Sequence, residues 1–498
     1  EKPNAVIQAK INEQLSKTPL ISSVINGTIV DNPYCTVPKS HYSPVYIRGD
    51  NDNVHNGPIY EANMLSHDGF RYALNQDKMI NAAKHWNSIG LDKRIEHFEN
   101  IASYIENNTN GCKDDLLVTT MIGQGKSLFE AEVDTVSELV DFLRFNNYYA
   151  SEMNNRKTIS DDSEYNFSEI NGLDGFFASI TPFNFTAIGA NLASAPLLMG
   201  NPVIWKPSDK SLLSNKVFYD ILLENNIPPE LISFVVMDGE KFMDVISYMP
   251  ELSGIAFTGS SNVFNGIYRN IGENINRYNN YPRLVGETGG KNFHFVHPSA
   301  DPKLVAIKTW EAVTGYSGQK CSACSRLYVP RSLWSSVKEI LIEHNENNKS
   351  MHPINNNDRH NHICRIARNI PTLNRHIKYV NNVLDYSLDG IHVIEASLHD
   401  EDYGYEVYSK EYFAPILSVY VYDDDKINNA LDLCLDKSNN KYALTGSGFA
   451  DPEDSFIEEA FDKMRFNAGN FYINDKCTGS VVGRQPFGGA GKSGTNDK

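Results

Sequence analysis

The 498-residue sequence contains no apolar run approaching the roughly 18–20 residues a membrane helix needs, so no transmembrane segment is expected. Basic clusters are missing as well. Lys and Arg number 45 against 62 Asp and Glu, a formal net charge of −17, which would repel a phosphate backbone and makes nucleic acid an unexpected partner. Seven cysteines (Cys35, Cys112, Cys321, Cys324, Cys364, Cys434 and Cys477) are too few, and odd in number, for a disulfide framework in a chain this long. They read as buried thiols in a reducing compartment, with one or two free for chemistry. Internal repeats and collagen-like composition are absent. With 41% hydrophobic and 21% charged residues the chain is ordinary globular material, which excludes wholesale disorder. The opening EKPNAVIQAKINEQ has neither a signal-peptide apolar core nor an Arg/Ser-rich transit composition, so no targeting segment is expected there.

A chain of this length suggests about two to four domains, or one large α/β enzyme body with appendages. Residues 1–60 are polar and punctuated by Pro, and read as an extended, partly irregular lead-in. Helical spacing follows from Asp77 to about Asn107 and from Asp114 to about Met153, with Val133, Val136, Val140, Leu143 and Phe145 marking an inner face. The charged, Ser/Asn-rich stretch Asn154–Glu169 has no core pattern and suits an exposed arm or hairpin. Strand and helix patterns then alternate. GFFASITPF, PVIWKPS, ISFVVM and SGIAFTGS are short apolar runs separated by amphipathic stretches, which predicts a parallel sheet covered on both faces. A second such series runs from about Leu284 to Tyr422, and the Gly-rich tail after Gly469 reads as loop.

Several apparent motifs lead nowhere. GQGKS (Gly123–Ser127) and GAGKS (Gly489–Ser493) end like a phosphate-binding loop, but the upstream Gly that loop requires is replaced by Thr120 and Pro486. The Asn- and His-rich stretch Asn345–His362, with His352, His360, His362 and nearby Cys364, reads as a solvated loop because no second cluster completes a ligand set. No metal is expected.

The chemistry concentrates in three short contexts. In GYSGQKCSACSR, Cys321 sits on a turn of small residues before a strand, which leaves its thiol reachable and its backbone N–H near any bound carbonyl oxygen. Lys320 beside it favours the nucleophilic thiolate. Cys324 makes a C-x-x-C pair with Cys321, but a redox pair of the thioredoxin type would open a helix, and this one enters a strand. In LVGETGGKNFHFV, Glu287 precedes a Gly-Gly turn, where a carboxylate could swing in to deprotonate water. In TPFNF, Asn184 follows a strand and a Pro-Phe turn and could donate its amide N–H to an oxyanion. Each alone fits a structural role; their combination favours catalytic roles.

The strings SITPFNFTAIGANLASAPLLMGNPVIWKPSDKS, GIAFTGS, GETGGKNFHFVHPSAD, GQKCSACSRLYVP and GNFYINDKCTGSVVGRQPFGGAGKSGTNDK resemble the aldehyde dehydrogenase superfamily. Within it they resemble the group that oxidises L-glutamate γ-semialdehyde, from about Thr119 onward. The resemblance implies an α/β chain with the aldehyde dehydrogenase fold: a Rossmann-like NAD-binding domain (1–153 and 171–286), an oligomerisation arm (154–170), an α/β catalytic domain (287–468) and a substrate-anchor loop with tail (469–498). It implies Cys321 as nucleophile, Asn184 as oxyanion donor and Glu287 as general base. It implies NAD as cofactor, held by Thr181, Lys206, Ser208, Gly259, Ser260, Glu411 and Phe413; Ser208, where many relatives carry an acid, favours NAD over NADP. For a small amino-acid semialdehyde, Ser322, Gly479 and Ser480 would receive the carboxylate, Phe185 and Phe487 would enclose the aliphatic chain, and Glu138 would lie near the amino end.

The same resemblance implies a homodimer or higher homo-oligomer, located in the mitochondrial matrix if the source is eukaryotic and otherwise cytoplasmic. Two features depart from the family pattern: Ala414 stands at a common Gly position, and the run from Ile394 to Glu411 is shorter by about ten residues. Two alternatives to glutamate-semialdehyde oxidation are a dehydrogenase for another small semialdehyde and a retired relative that only binds nucleotide. The presence of Cys321, Glu287 and Asn184 together argues against the second.

Overall fold

The computed structural model describes residues 5–31, 35–36, 38–42, 47–48, 54–55, 57–156, 158–348, 384–388, 391–397, 409–438 and 440–497. Two compact units divide the chain, Glu1–Val285 and Gly286–Lys498.

In the first unit the lead-in is more ordered than its composition suggests. Helix α1 (Ala5–Leu15) buries Ile7, Ile11 and Leu15, one residue per turn. Strands β1 (Ser23–Ile25) and β2 (Thr28–Val30) form a hairpin across Asn26 and Gly27, whose φ values of 48° and 78° suit the tight turn that Asn-Gly favours. The helical stretches resolve into α2 (Gln76–Ser88), α3 (Leu91–Glu106), α4 (Cys112–Gln124) and α5 (Leu139–Asn154). Between α4 and α5 lie a short helix, Leu128–Glu132, and a π-helical turn, Val133–Glu138. The extra residue in a π turn rotates the phase of the apolar stripe. Val133 is therefore exposed instead of facing inward, Val136 is half-buried, and Asp134 and Thr135 point into the interior. After α5, residues 158–170 form neither helix nor strand, and Ile159, Tyr165 and Phe167 project into solvent.

The alternating segment then gives β3 (Phe176–Ile180), α6 (Thr186–Leu198), β4 (Val203–Lys206), α7 (Leu212–Glu224), β5 (Ile232–Phe234), α8 (Gly239–Ile246), β6 (Leu252–Thr258), α9 (Ser261–Glu273) and β7 (Arg283–Glu287). The sheet order is β7-β6-β3-β4-β5-β1-β2. The pairs β6/β3, β3/β4 and β4/β5 are parallel, and the β1/β2 hairpin extends the edge antiparallel. Every residue of β6 is buried, as expected of a strand covered on both faces. Phe176, Ile204, Ile255 and Phe257 anchor the core.

The second unit holds β8 (Asn292–Val296), α10 (Pro302–Thr314), β9 (Cys324–Pro330), α11 (Arg331–Asn348), β10 (Leu384–Leu388), β11 (Ile391–Ser397), β12 (Ile416–Tyr422), α12 (Ile427–Leu435), β13 (Thr445–Phe449), α13 (Phe456–Met464) and β14 (Asn470–Ile473). Its sheet runs β10-β11-β12-β9-β8-β13-β14, parallel except for β10. The tail is therefore not all loop: β14 adds an edge strand, and Ala490–Gly491 pairs with Tyr442–Ala443. Flanking glycines hide so short a strand in the sequence. Beyond Asn348 the Asn/His-rich stretch and Cys364 lie outside the described residues, as do positions 398–408 of the shortened run. Among the described residues no helix is long and apolar enough to cross a membrane.

Candidate active site

In the first unit the chain passes from β3 to β4 and β5 on one side, then crosses to β6 on the other. Such a reversal opens a crevice at the carboxyl ends of β3 and β6, where open α/β sheets bind ligands. Several of the expected residues gather at these strand ends. Thr181, just after β3, is buried and accepts a hydrogen bond from Trp205 Nε1 (3.1 Å). Lys206 ends β4; its buried ammonium donates to the Pro207 carbonyl (3.1 Å), and burial holds its pKa below the ordinary lysine range. Ser208 Oγ accepts from the Lys210 N–H (3.4 Å). Gly259 and Ser260 connect β6 to α9, where the Ser260 hydroxyl caps the helix by accepting from Val263 N–H (3.3 Å). A helix N-terminus at a switch point is suited to a pyrophosphate.

Asn184 and Phe185 lie between β3 and α6, Asn184 buried and Phe185 half-buried. Phe185 occupies the N-cap of α6 but supplies no capping group. Asp134 does so instead, from the π turn: its carboxylate accepts the N–H groups of Thr186 (2.9 Å) and Ala187 (2.8 Å). Lys126 neutralises it through a fully buried ion pair (2.6 Å), and the same ammonium lies 4.0 Å from the centre of the Phe185 ring. The lysine of the false phosphate loop is thus a structural support for the Asn184–Phe185 turn. Glu138, the last residue of the π turn, is half-buried.

In the second unit Cys321 is half-buried on the turn between α10 and β9. The turn is strained: Tyr316 and Ser317 have φ of 48° and 56°, left-handed values that cost a non-glycine residue about 1–2 kcal/mol each. Gly318 follows at φ 68°, its Cα packed against the backbone of Ala414 so closely that a side chain has no room. Asn292, at the start of β8, over-determines this geometry. Its Nδ2 donates to the carbonyls of Cys321 (2.7 Å) and Ala323 (2.8 Å), while its Oδ1 accepts from Thr445 N–H (3.0 Å).

Glu287 is buried at the end of β7, clamped by the C-terminal segment. Its backbone bridges to Gly494, Thr495 N–H donates to the Gly286 carbonyl (2.9 Å), and Ser493 accepts from Thr288 N–H (2.9 Å). Gly494 has φ 147°, and a Cβ there would lie 2.5 Å from the Gly286 oxygen. Glu411 accepts from Gly290 N–H (2.9 Å), and burial raises its carboxyl to about 7. Phe413 nearby has φ 54°. Lys291, buried with its ammonium 5.2 Å from the Tyr412 ring centre, has no hydrogen-bond partner among the described residues and is pushed down to about 7 by burial. Residues Gly290, Lys291, Gly318, Lys320, Glu411 and Phe413 line one narrow pocket.

Of the expected substrate residues in this unit, Ser322 Oγ hydrogen-bonds Thr478 Oγ1 (2.7 Å), beside exposed Gly479. Ser480 Oγ meets the Tyr472 hydroxyl (3.0 Å), and Phe487 is half-buried. Sequence reasoning missed Asn292, Asp134, Lys126 and Thr478. The one available signal was the pairing of Lys126 with Asp134 around a break in the apolar spacing.

The aldehyde dehydrogenase family pattern matches residues 55–498. The chain belongs to that family. It is 42% identical over 431 residues to the mitochondrial Delta-1-pyrroline-5-carboxylate dehydrogenase of Mus musculus, covering 85% of this chain and 76% of that one. Among solved structures it is similar to the Delta-pyrroline-5-carboxylate dehydrogenase of Mycobacterium tuberculosis, with 33% identity, a TM-score of 0.85, and coverage of 99% and 89% of the two chains. The structure of that protein bound with NAD gives a TM-score of 0.83 at 33% identity, with coverage of 100% and 90%. The fold is that of the aldehyde dehydrogenases.

Proposed function

We propose that this chain oxidises L-glutamate γ-semialdehyde, in equilibrium with Δ1-pyrroline-5-carboxylate, to L-glutamate with NAD, a step of proline catabolism. The observation that carries the proposal is the strained turn of Tyr316–Gly318, pinned by Asn292, which holds the Cys321 thiol at a half-exposed position in an aldehyde dehydrogenase. The Cys321 thiolate attacks the aldehyde carbon to give a thiohemiacetal. Asn184 and the Cys321 backbone N–H stabilise the oxyanion. NAD, when bound, supplies the hydride acceptor. Glu287 then deprotonates a water that hydrolyses the thioester, releasing glutamate and the free thiol.

The dinucleotide fits the residues present. Lys206 keeps ammonium protons for ribose hydroxyls beyond its one bond to Pro207. Ser260 caps a helix end suited to phosphate, with Gly259, Thr181 and Ser208 beside it. Glu411 is a half-buried acceptor for the second ribose, with Phe413 against the ring. Ser322, Gly479 and Ser480 hold the substrate carboxylate, Phe185 and Phe487 its methylenes, and Glu138 its amino end.

The NAD-binding domain comprises 1–153 and 171–286, the catalytic domain 287–468, and the anchor and tail 469–498. The arm 154–170 pairs two copies, a reading supported by its exposed Ile159, Tyr165 and Phe167. In a eukaryotic cell the mitochondrial matrix is its place, as the names of relatives such as that of Mus musculus suggest. The test is NADH formation from pyrroline-5-carboxylate against succinic semialdehyde and a simple aliphatic aldehyde. The proposal expects a clear preference for the first, and equal rates or a reversed order would overturn it.

A further inference from the structure

In the second unit two of the expected substrate residues each share a hydroxyl contact with a residue outside the expected set. Ser480 Oγ lies 3.0 Å from the Tyr472 hydroxyl, and Ser322 Oγ lies 2.7 Å from Thr478 Oγ1. On the strength of the proposed function, on which this rests, we propose that Tyr472 and Thr478 are positioning residues. They turn the Ser480 and Ser322 hydroxyls into dedicated donors, so that the site selects an aldehyde whose far end is a carboxylate over one whose far end is neutral.

A hydroxyl has one proton and can either give or take a hydrogen bond, whereas an ionised carboxylate only accepts. A serine therefore serves a carboxylate only if its own proton is not used elsewhere. At Ser480 the neighbouring bonds set the direction. The amide nitrogen of Gln485 can only donate, and it donates to the Tyr472 oxygen (3.1 Å). The phenol proton then goes to the Ser480 oxygen, the one other polar partner of that hydroxyl among the described residues. The bonds run one way, from amide to phenol to serine, and the serine proton is left for a ligand. Each donor in such a chain strengthens the next.

Strand β14 builds this chain. Side chains two apart on a strand share a face, and Asn470 and Tyr472 both reach the segment that follows. Asn470 Nδ2 donates to the Pro486 carbonyl (2.7 Å) and its Oδ1 accepts from Gly488 N–H (3.5 Å), which fixes the backbone on either side of Phe487. At the other serine the hydroxyl pair is buried. The Ser322 carbonyl accepts from the Thr445 hydroxyl (3.5 Å) and the Cys477 thiol (3.6 Å), so its backbone is held and the direction of the hydroxyl pair alone is left to choose. Either oxygen of the pair can be the donor. When a carboxylate takes the Ser322 proton, Thr478 supplies its own, and the Ser322 oxygen stays paired. A neutral end gains nothing equivalent: an amide N–H meets donors, and a methyl group leaves both serine protons unpaired.

The test measures KM and kcat of the full-length enzyme with NAD and either pyrroline-5-carboxylate or a simple aliphatic aldehyde. The parent protein should prefer the first. Tyr472→Phe and Thr478→Val should each raise KM for pyrroline-5-carboxylate about tenfold at nearly constant kcat, the weight of one hydrogen bond to a charged group, and lower the preference by the same factor. Thr478→Ser keeps the hydroxyl and should restore the parent KM. A second measurement needs no variant. L-glutamate and its α-amide are compared as inhibitors of the parent protein against pyrroline-5-carboxylate, and the amide should bind weaker by about tenfold or more. A parent protein without the preference overturns the proposed function and this inference together. The roles of Tyr472 and Thr478 alone are overturned if the preference is present and both variants keep it. The same holds if the variants slow both aldehydes alike, if Thr478→Ser behaves as Thr478→Val, or if the amide inhibits as well as glutamate.

Discussion

Replacing Asp134 with alanine removes three interactions at one point. Its ion pair with Lys126 is fully buried, so the lysine loses the Asp134 carboxylate in a place water does not reach; stranding one member of such a pair costs about 3–5 kcal/mol. The N–H groups of Thr186 and Ala187 at the start of α6 lose their acceptor as well, at about 1 kcal/mol each. Some of this overlaps, and a net loss of about 4–6 kcal/mol is expected. Lys126→Met alone leaves the carboxylate with two N–H donors and the positive end of a helix, and should cost less, about 2–4 kcal/mol. The double variant contains no stranded charge and should be more stable than Asp134→Ala by itself. Urea unfolding of the four proteins gives the cycle, and hydrogen exchange at Thr186 and Ala187 reports the local opening. Turnover should fall along with protection at these amides, since α6 begins two residues after Asn184. Losses in the two single variants that simply add in the double would refute the account of this network.

Three further outcomes follow from the second unit. Asn292→Ala frees the carbonyls of Cys321 and Ala323, and a nucleophile displaced by about 1 Å loses up to about a hundredfold in kcat; NAD affinity measured by fluorescence titration should stay unchanged. Gly494→Ala forces a side chain into a left-handed position against Gly286, displacing Glu287, so stopped flow should show a normal first burst of NADH followed by slower steady-state turnover. The Glu411 carboxyl, raised to about 7 by burial, is protonated below that pH and would then lose its capacity to accept the ribose hydroxyls that the proposed function assigns to it. KM for NAD should therefore rise as pH falls, approaching tenfold per unit well below pH 7. Lys291 titrates over the same range, and Glu411→Gln isolates the carboxyl by abolishing its part of the pH dependence.

The parallel sheets were legible because a strand buried on both faces must be a continuous apolar run, as β6 and β12 are. The Cys321, Glu287 and Asn184 contexts stood out in the sequence because each places a reactive side chain at a turn next to a strand. What supports them did not. Asn292 acts through carbonyls of residues distant in the chain, and a buried Asn at a strand start carries no local mark. Asp134 points inward because a π turn shifts the helical phase, and spacing rules that assume regular helix place Val133 there instead. The hairpin at Asn26–Gly27 did carry a readable signal, obscured by the polar, Pro-rich surroundings.

The central claim is that Cys321 carries the acyl group between oxidation and hydrolysis. Glu287→Gln enzyme, mixed with pyrroline-5-carboxylate and NAD, quenched in acid and digested, should yield the peptide GQKCSACSR bearing a γ-glutamyl group on Cys321, in amounts matching a stoichiometric burst of NADH. Full NADH release with that peptide unmodified, or with the acyl group on Cys324, would contradict it.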